Sequence, residues 1–378
     1  MSKRRYELQH PELNRAVEDL VERAQEIYGE SQAAEHVREI LVSGVRLMRD
    51  GTDSGDLKLL NSALKELRHA LRVFAPYAHQ RKAAIFGSAR TQPGSPDWEQ
   101  ARTFAARIVY AGWMVITGAG GGIMAAAQGG AGREASFGVN IRLPFGQPAN
   151  DVISGDPKLV NFRYFFTRKV VFVKESHAIA LFPGGFGTHD EAFEALTLIQ
   201  TGKGEMLPVV FVDSPGGSYW RDWLEYLSSH MRARDFVGPD DLNLFRVTDD
   251  VEVAVCEILN FYSNYHSSRY VGDRLVLRVR CAPDDEQLEA LNADFKDIVT
   301  SGAIDVRPAL AQEEGEVAHL PRVTLRFKRR ARARLRGLID RLNEFVTDEA
   351  SPPREASPHQ IVAEKLPSAA ESAEEAEG

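Results

Sequence analysis

Two periodicities divide this chain. Up to about residue 80 the apolar positions recur at helical spacing alone, first as Leu13, Val17, Leu20, Val21 and Ala24 and then as Leu57, Leu60, Leu64, Leu67 and Leu71. Gly51-Thr52-Asp53-Ser54-Gly55 interrupts that pattern and Pro76 closes it, so residues 1–80 are expected to form a helical extension in two halves. From Ala83 short apolar runs alternate with helical stretches. The strand Ala83–Phe86 leads into a helix over Asp97–Ala111, and further strands are expected at Trp113–Thr117, Phe137–Leu143, His177–Phe182 and Leu207–Val212. Each gap is long enough for a helical crossover, which demands a parallel sheet with right-handed connections. The fold class expected is therefore α/β, a Rossmann-like doubly wound sheet over residues 81–268, closed by helices near Tyr219–His230 and Asp250–Tyr262.

A third pattern begins beyond Arg269. Strands at Arg274–Arg280, Ile304–Pro308 and Arg322–Phe327, with helices at Asp285–Val299 and Ala331–Val346, predict a small α+β unit over residues 269–347, ferredoxin-like or similar. After Asp348 large apolar residues thin out and Pro, Ser, Ala and Glu accumulate, the composition of a disordered tail over 348–378.

At 378 residues and a formal charge of −8, the chain has room for two or three folded units and lacks the charge of an electrostatic nucleic-acid binder. The run Arg326–Arg336 is locally basic. Leu335, Leu338, Ile339, Leu342 and Phe345 fall at helical spacing beside it, so its arginines are expected on the wet face of an amphipathic helix. Cys256 and Cys281 share no metal-ligand spacing, which leaves two free buried thiols as the expectation and no metal site. The charged start is followed by no apolar signal-peptide core, and no stretch approaches a membrane span; a cytoplasmic protein without membrane partners is expected.

Chemistry concentrates in three glycine turns that follow three of the strands: Gly87-Ser88-Ala89-Arg90, Gly118-Ala119-Gly120-Gly121-Gly122-Ile123-Met124, and Pro183-Gly184-Gly185-Phe186-Gly187-Thr188-His189-Asp190-Glu191. In a parallel sheet all three lie at the carboxyl edge, where ligands bind at the switch in strand order. The third turn joins a strand to a helix, and a helix start offers unpaired backbone N–H groups and a positive dipole end that suit phosphate. Glu191 stands within about a turn of that point. Thr188 and Glu191 also have capping-box spacing, but a cap does not require three preceding glycines. The second turn carries Ile123 where a dinucleotide fingerprint needs glycine, and no Gly-Lys-Ser/Thr occurs, which argues against NAD binding and ATP hydrolysis. Upstream, Arg168 and Lys169 sit inside an apolar helical run, Asn161–Glu175, where cations need partners or an exit to water.

Taken together, Arg168-Lys169, the Pro183–Glu191 run, the Gly118–Met124 loop, Gly138–Pro144 and Ala192–Lys203 resemble the Lonely Guy (LOG) family of nucleoside 5′-monophosphate phosphoribohydrolases, over roughly residues 83–262. The likeness is to the longer bacterial members, many of which carry the label lysine decarboxylase. It implies hydrolysis of the N-glycosidic bond of an AMP-like or cytokinin-riboside-monophosphate-like nucleotide to free base and ribose 5-phosphate, without cofactor or metal. By the same resemblance Arg168 and Glu191 are the catalytic pair, and Lys169 and Asp190 line the site. Gly184, Gly185, Gly187 and Thr188 hold the phosphate, with Gly87, Ser88, Gly118, Gly120, Gly121, Gly122 and Met124 completing the substrate-binding set. Homodimers or higher homo-oligomers with composite sites are implied as well. Ala119, Gly121 and Ala125 depart from the pattern, standing where longer relatives often read Gly, Pro and Glu. The chemistry is coherent: cleavage builds positive charge on the ribose, which a carboxylate stabilises, while an arginine fork orients it. His189 is either a solvated bystander or an acid for the leaving base. Two other readings are a nucleotide sensor with little catalysis and, more weakly, a pyridoxal-dependent decarboxylase, for which no lysine constellation is legible.

Overall fold

A computed structural model describes residues 6–31, 33–144, 146, 148–313 and 317–345. The tail expected over 348–378 lies outside the described residues, as does Val346 of the last expected helix. The chain divides into two compact units, one ending at Arg68 and the other beginning at His69.

The first unit is helical. Helices α1 (Pro11–Tyr28) and α2 (Ala34–Arg49) precede α3 (Ser54–Phe74), so the expected break separates α2 from α3 at Gly51-Thr52-Asp53, while Ser54 and Gly55 open α3. Its core gathers Leu8, Val17 and Val42, with Leu41 and Val45 packed against them. Arg38 is buried there because Glu35 meets its fork at 2.8 and 2.6 Å and the Tyr6 carbonyl accepts a third bond.

In the second unit the order is β1 (Lys82–Phe86), α4 (Pro96–Tyr110), β2 (Met114–Thr117), α5 (Ile123–Ala131), β3 (Ser136–Ile141), β4 (Leu159–Phe162), α6 (Phe165–Glu175), β5 (Ala178–Leu181), α7 (Phe186–Thr201), β6 (Val209–Val212), α8 (Tyr219–Tyr226), β7 (Arg246–Thr248) and α9 (Val251–Phe261). The strands form one seven-stranded sheet in the order β4-β3-β2-β1-β5-β6-β7, with every pairing parallel. β1, β2, β5 and β6 are buried along their whole length, which explains their unbroken apolar composition. The order reverses between β1 and β5, and the crevice above their carboxyl ends is the switch point of the fold.

Two strands of this sheet differ from the sequence reading. Leu159–Phe162 pairs with β3 as an edge strand, so the helix expected from Asn161 starts only at Phe165. β7 has three residues, none of them buried, and carries no apolar run. The helix expected to His230 changes character at Leu227, where a π-turn takes over to Met231.

The chain then builds an antiparallel sheet from β8 (Tyr265–Val271), β9 (Arg274–Val279), β10 (Asp305–Arg307) and β11 (Arg322–Leu325), with α10 (Asp285–Asp294) between β9 and β10 and α11 (Arg332–Asn343) at the end. β8 was not foreseen, and it starts at Tyr265, ahead of the boundary placed at 268/269. The strand order β10-β11-β9-β8 and the succession ββαββα are not ferredoxin-like, although the unit is α+β as expected. Its interior holds Glu313, which Arg278 and Arg322 share at 2.8 and 3.0 Å. Cys256 is exposed and Cys281 half-buried, so the expected pair of buried thiols is corrected on both. Among the described residues no helix is long and apolar enough to cross a membrane, and no cluster of metal-ligating side chains occurs.

Candidate active site

The three glycine turns are stitched together by their backbones at the switch point. Ser88 N–H, after β1, donates to the Pro183 carbonyl after β5 (3.0 Å), and Ile123 N–H, after β2, donates to the Ser88 carbonyl (3.0 Å). Two glycines make this approach possible. Gly122 has φ +60°, and a Cβ there would lie 2.2 Å from Ser88 O. A Cβ on Gly184 would lie 2.1 Å from Thr188 Oγ1 and 2.9 Å from Ser88 N. Gly87 is likewise closed in by the Ile123 side chain, and Gly118 by the Met124 sulfur. Gly185 and Gly187 differ, because a side chain at either would enter open space, and both belong to the start of α7. The expected convergence of the turns is thus observed.

The second turn relies on a residue the sequence did not flag. Asn150 Nδ2 donates to Ala119 O (3.1 Å), Gly120 O (2.9 Å) and Gln128 Oε1 (2.7 Å), while its backbone N–H donates to Ala119 O (2.8 Å). Ala119 adopts φ +61°, a conformation costing an L-residue about 1–2 kcal/mol. Those bonds offset the strain of an alanine where longer relatives often place glycine. Gly121 has no such constraint, its nearest neighbour being Ala89 O at 3.4 Å from a built Cβ.

α7 starts at Phe186 with Gly185 as N-cap, and no side chain caps it. Thr188 is therefore the third helical residue, and the capping-box reading of Thr188 and Glu191 is corrected. Glu191 instead lies in the second turn, only 7% exposed, facing α6. Arg168 comes from the first turn of α6, where its Nη2 stands 3.9 Å from Glu191 Oε1 and beside Gly118. Phe165 and Phe172 flank the guanidinium, their ring centres 5.5 and 5.4 Å from Cζ. Its buried Nε has no hydrogen-bond partner among the described residues. An arginine fork with an unused donor beside a carboxylate is suited to polar ligand atoms.

Burial pushes the Glu191 carboxyl above its usual range, against the opposing pull of Lys169 and Arg168. Burial likewise lowers Arg168, opposed by Glu191 and Asp190. Lys169 does not join the pair directly. Its ammonium bonds Asp190 (2.8 Å) and Glu194 (2.5 Å), and these bonds raise its pKa in spite of burial, so Lys169 and Asp190 tie α6 to α7.

His189 is not a solvated bystander, because its Nε2 lies 2.8 Å from the Tyr219 hydroxyl, which in turn donates to Gly184 O (2.5 Å). A carbonyl only accepts, so the hydroxyl proton goes to Gly184 and His189 Nε2 must donate, which fixes its tautomer. Burial holds His189 below its usual pKa among Tyr219, Trp220, Trp223 and Phe193. Tyr219 was missed by sequence reading; its one local signal is the preceding Gly216-Gly217 turn at the head of α8.

Residues 122–258 match the family described as possible lysine decarboxylase. No curated protein matches the chain. Among solved structures, the molybdenum cofactor binding protein of Rippkaea orientalis is similar at 17% identity and a TM-score of 0.34, over 47% of this chain and 93% of that one. The molybdenum cofactor carrier protein of Chlamydomonas reinhardtii is similar at 20% identity and a TM-score of 0.33, over 48% and 98%. The matched segment runs from the second glycine turn into α9, and it supports the LOG-family resemblance read from the sequence.

Proposed function

We propose that this protein hydrolyses the N-glycosidic bond of a nucleoside 5′-monophosphate, AMP-like or cytokinin-riboside-monophosphate-like, releasing free base and ribose 5-phosphate. The observation that carries the reading is the buried Glu191 facing Arg168 at 3.9 Å, one helical turn from the open glycine start of α7. The phosphate docks on the open start of α7, at the backbone N–H groups of Gly185 and Gly187 with Thr188 beside them, so that the ribose meets Glu191 and Arg168. As the bond to the base breaks, positive charge grows on the ribose, and Glu191 stabilises it and activates the attacking water. Arg168 offers its fork to ribose or phosphate oxygens and keeps the carboxylate oriented. A carboxyl with a raised pKa works near neutrality as base and, once protonated, as acid.

Decarboxylation, the chemistry that the matched family's description names, is not fitted by the lysine nearest the pair or by the one whose pKa is markedly lowered among the described residues. A Schiff base needs a neutral amine. Lys169, nearest the pair, is held protonated by two carboxylates. Lys82 has a pKa lowered to about 8, but it begins β1, at the opposite end of the strand from the site, and donates to the Tyr77 and Gln80 carbonyls.

The active form is proposed to be a homodimer. Phe165, Phe166 and Val170 on α6 and Phe186 on α7 are 53, 49, 51 and 96% exposed around the pair, an apolar surface suited to a second copy. A monomeric mass by sedimentation would end that part of the proposal.

Incubation with AMP, GMP, CMP and UMP, with ribose 5-phosphate and free base as the readout, tests the reaction. Stoichiometric release from at least one nucleotide is expected. Retained binding without release from any of them would mark a nucleotide-binding protein rather than a hydrolase.

A further inference from the structure

The basic run Arg326–Arg336 forms the expected wet face only in part: Lys328, Arg329 and Arg330 are exposed, but not every arginine faces water. Arg326 and Arg334 pair with Asp273 and Asp297, while Arg332 and Arg336 are only 6 and 5% exposed. Arg332 reaches from α11 to the far end of the helix that carries Glu191: its Nε donates to Ile199 O and its Nη2 to Gly204 O, each at 3.2 Å. We propose that Arg332 is a positioning residue for α7, which makes the C-terminal α+β unit part of the apparatus that holds Glu191 against Arg168; the catalytic side of this rests on the function proposed above.

The geometry supports a strut rather than an incidental contact. The last carbonyls of a helix lack intrahelical donors, and a cation there also favours the negative end of the dipole. Gly202 ends α7 in the left-handed conformation, and a Cβ built on it would make only ordinary contact with the guanidinium, 3.4 Å from Arg332 Nε. α11 itself is anchored on α9 and the start of β8. Arg336 pairs with Glu257 and Asp340, and Asn343 donates to Phe261 O (2.8 Å) while accepting from Asn264 and Tyr265 N–H (3.1 and 2.8 Å). A second tie, Gln200 Nε2 to Asp241 Oδ2 at 2.5 Å, fixes the same end of α7. From Ile199 back to Glu191 the helix spans about 12 Å at roughly 1.5 Å per residue, and a stiff helix transmits an axial shift along that distance. Misplacement of a reacting group by about 1 Å costs on the order of 100-fold in rate.

The test compares Arg332→Ala, Arg332→Lys and Arg334→Ala in the full chain, each measured for kcat, KM, the pH profile and hydrogen exchange of the peptide covering residues 186–201. Arg332→Ala should lower kcat at least tenfold with KM within about threefold, and speed exchange in that peptide. It should also move the acid limb of the profile down as Glu191 gains water. Arg332→Lys, which reaches one carbonyl instead of two, should recover part of the loss. Arg334→Ala removes a cation from the same helix without touching α7 and should match the wild type. Wild-type kcat within twofold and unchanged exchange in Arg332→Ala would overturn the proposal, as would a loss of kcat that only tracks the folded fraction. If the wild type hydrolyses no nucleotide, the functional reading fails separately, and exchange over residues 186–201 still decides whether Arg332 positions α7.

Discussion

Replacing Gly122 by alanine probes the joint on which the site is built. The residue has φ +60°, which costs an alanine about 1–2 kcal/mol. Its Cβ would lie 2.2 Å from Ser88 O, 2.7 Å from Ala89 C and 2.9 Å from Ala89 Cα, all backbone atoms with no rotamer to move. The carbonyl it strikes is the acceptor of Ile123 N–H, so relief means stretching that bond, at about 1 kcal/mol, together with an overpacking cost of about 1–3 kcal/mol. A total of about 3–6 kcal/mol follows. Gly121→Ala is the matched control: its nearest neighbour would be 3.4 Å away and its φ is outside the left-handed range, so a change below about 1 kcal/mol is expected. Urea unfolding followed by tryptophan fluorescence gives both differences from the midpoints at unchanged slope. Calorimetry with ribose 5-phosphate should show binding lost only in Gly122→Ala. Midpoints for the two variants that coincide would refute the close approach of the turns.

Two further perturbations address the rest of the molecule. Glu313→Gln should destabilise the protein by about 3–5 kcal/mol in urea, because Arg278 and Arg322 then lose the buried carboxylate they share. Burial opposes ionisation of Glu313, but bonds from Arg322, Leu310 N–H and Arg278 hold it at about 2, below its ordinary 4.5, so its contribution is full above pH 4.5 and lost as pH falls toward 2. A variant no less stable than wild type at pH 7 would remove the triad from the account. His177, held at about 4 by burial and by Lys82 and Arg81, accepts a bond from the Lys82 N–H through Nδ1 (3.3 Å), which requires the neutral ring. The unfolded chain takes up that proton near 6.5, so stability should fall as pH drops from 6.5 to 4, and His177→Gln should make the fall shallower without abolishing it, since His266 shifts the same way. Parallel curves for variant and wild type would contradict this assignment.

What the sequence made legible follows from burial. β1, β2, β5 and β6 are covered on both faces and therefore read as apolar runs, and glycines recur where their turns approach one another. β4 exposes Asn161 at the sheet edge, β7 is three residues long, and β8 reads Tyr-His-Ser-Ser-Arg-Tyr-Val, so none of them carries the signal. Arg168 and Glu191 were legible as an isolated cation and a carboxylate beside glycines, but only the turn from α6 through β5 into α7 brings them within 3.9 Å. Asn150, Tyr219 and Arg332 act by binding backbone carbonyls of distant segments, a role that fixes geometry and leaves no spacing in the sequence. Capping-box spacing at Thr188 and Glu191 misled for the converse reason, since the helix begins one turn earlier than a cap at Thr188 would require.

In the proposed reaction Glu191 acts on a bound nucleotide as its glycosidic bond breaks. Glu191→Gln keeps the shape of the side chain and removes its charge, and single-turnover assay of ribose 5-phosphate alongside calorimetric nucleotide binding separates chemistry from affinity. Binding within about threefold of wild type is expected, with turnover reduced on the order of 100-fold to 10,000-fold. Turnover within about tenfold of wild type would contradict it.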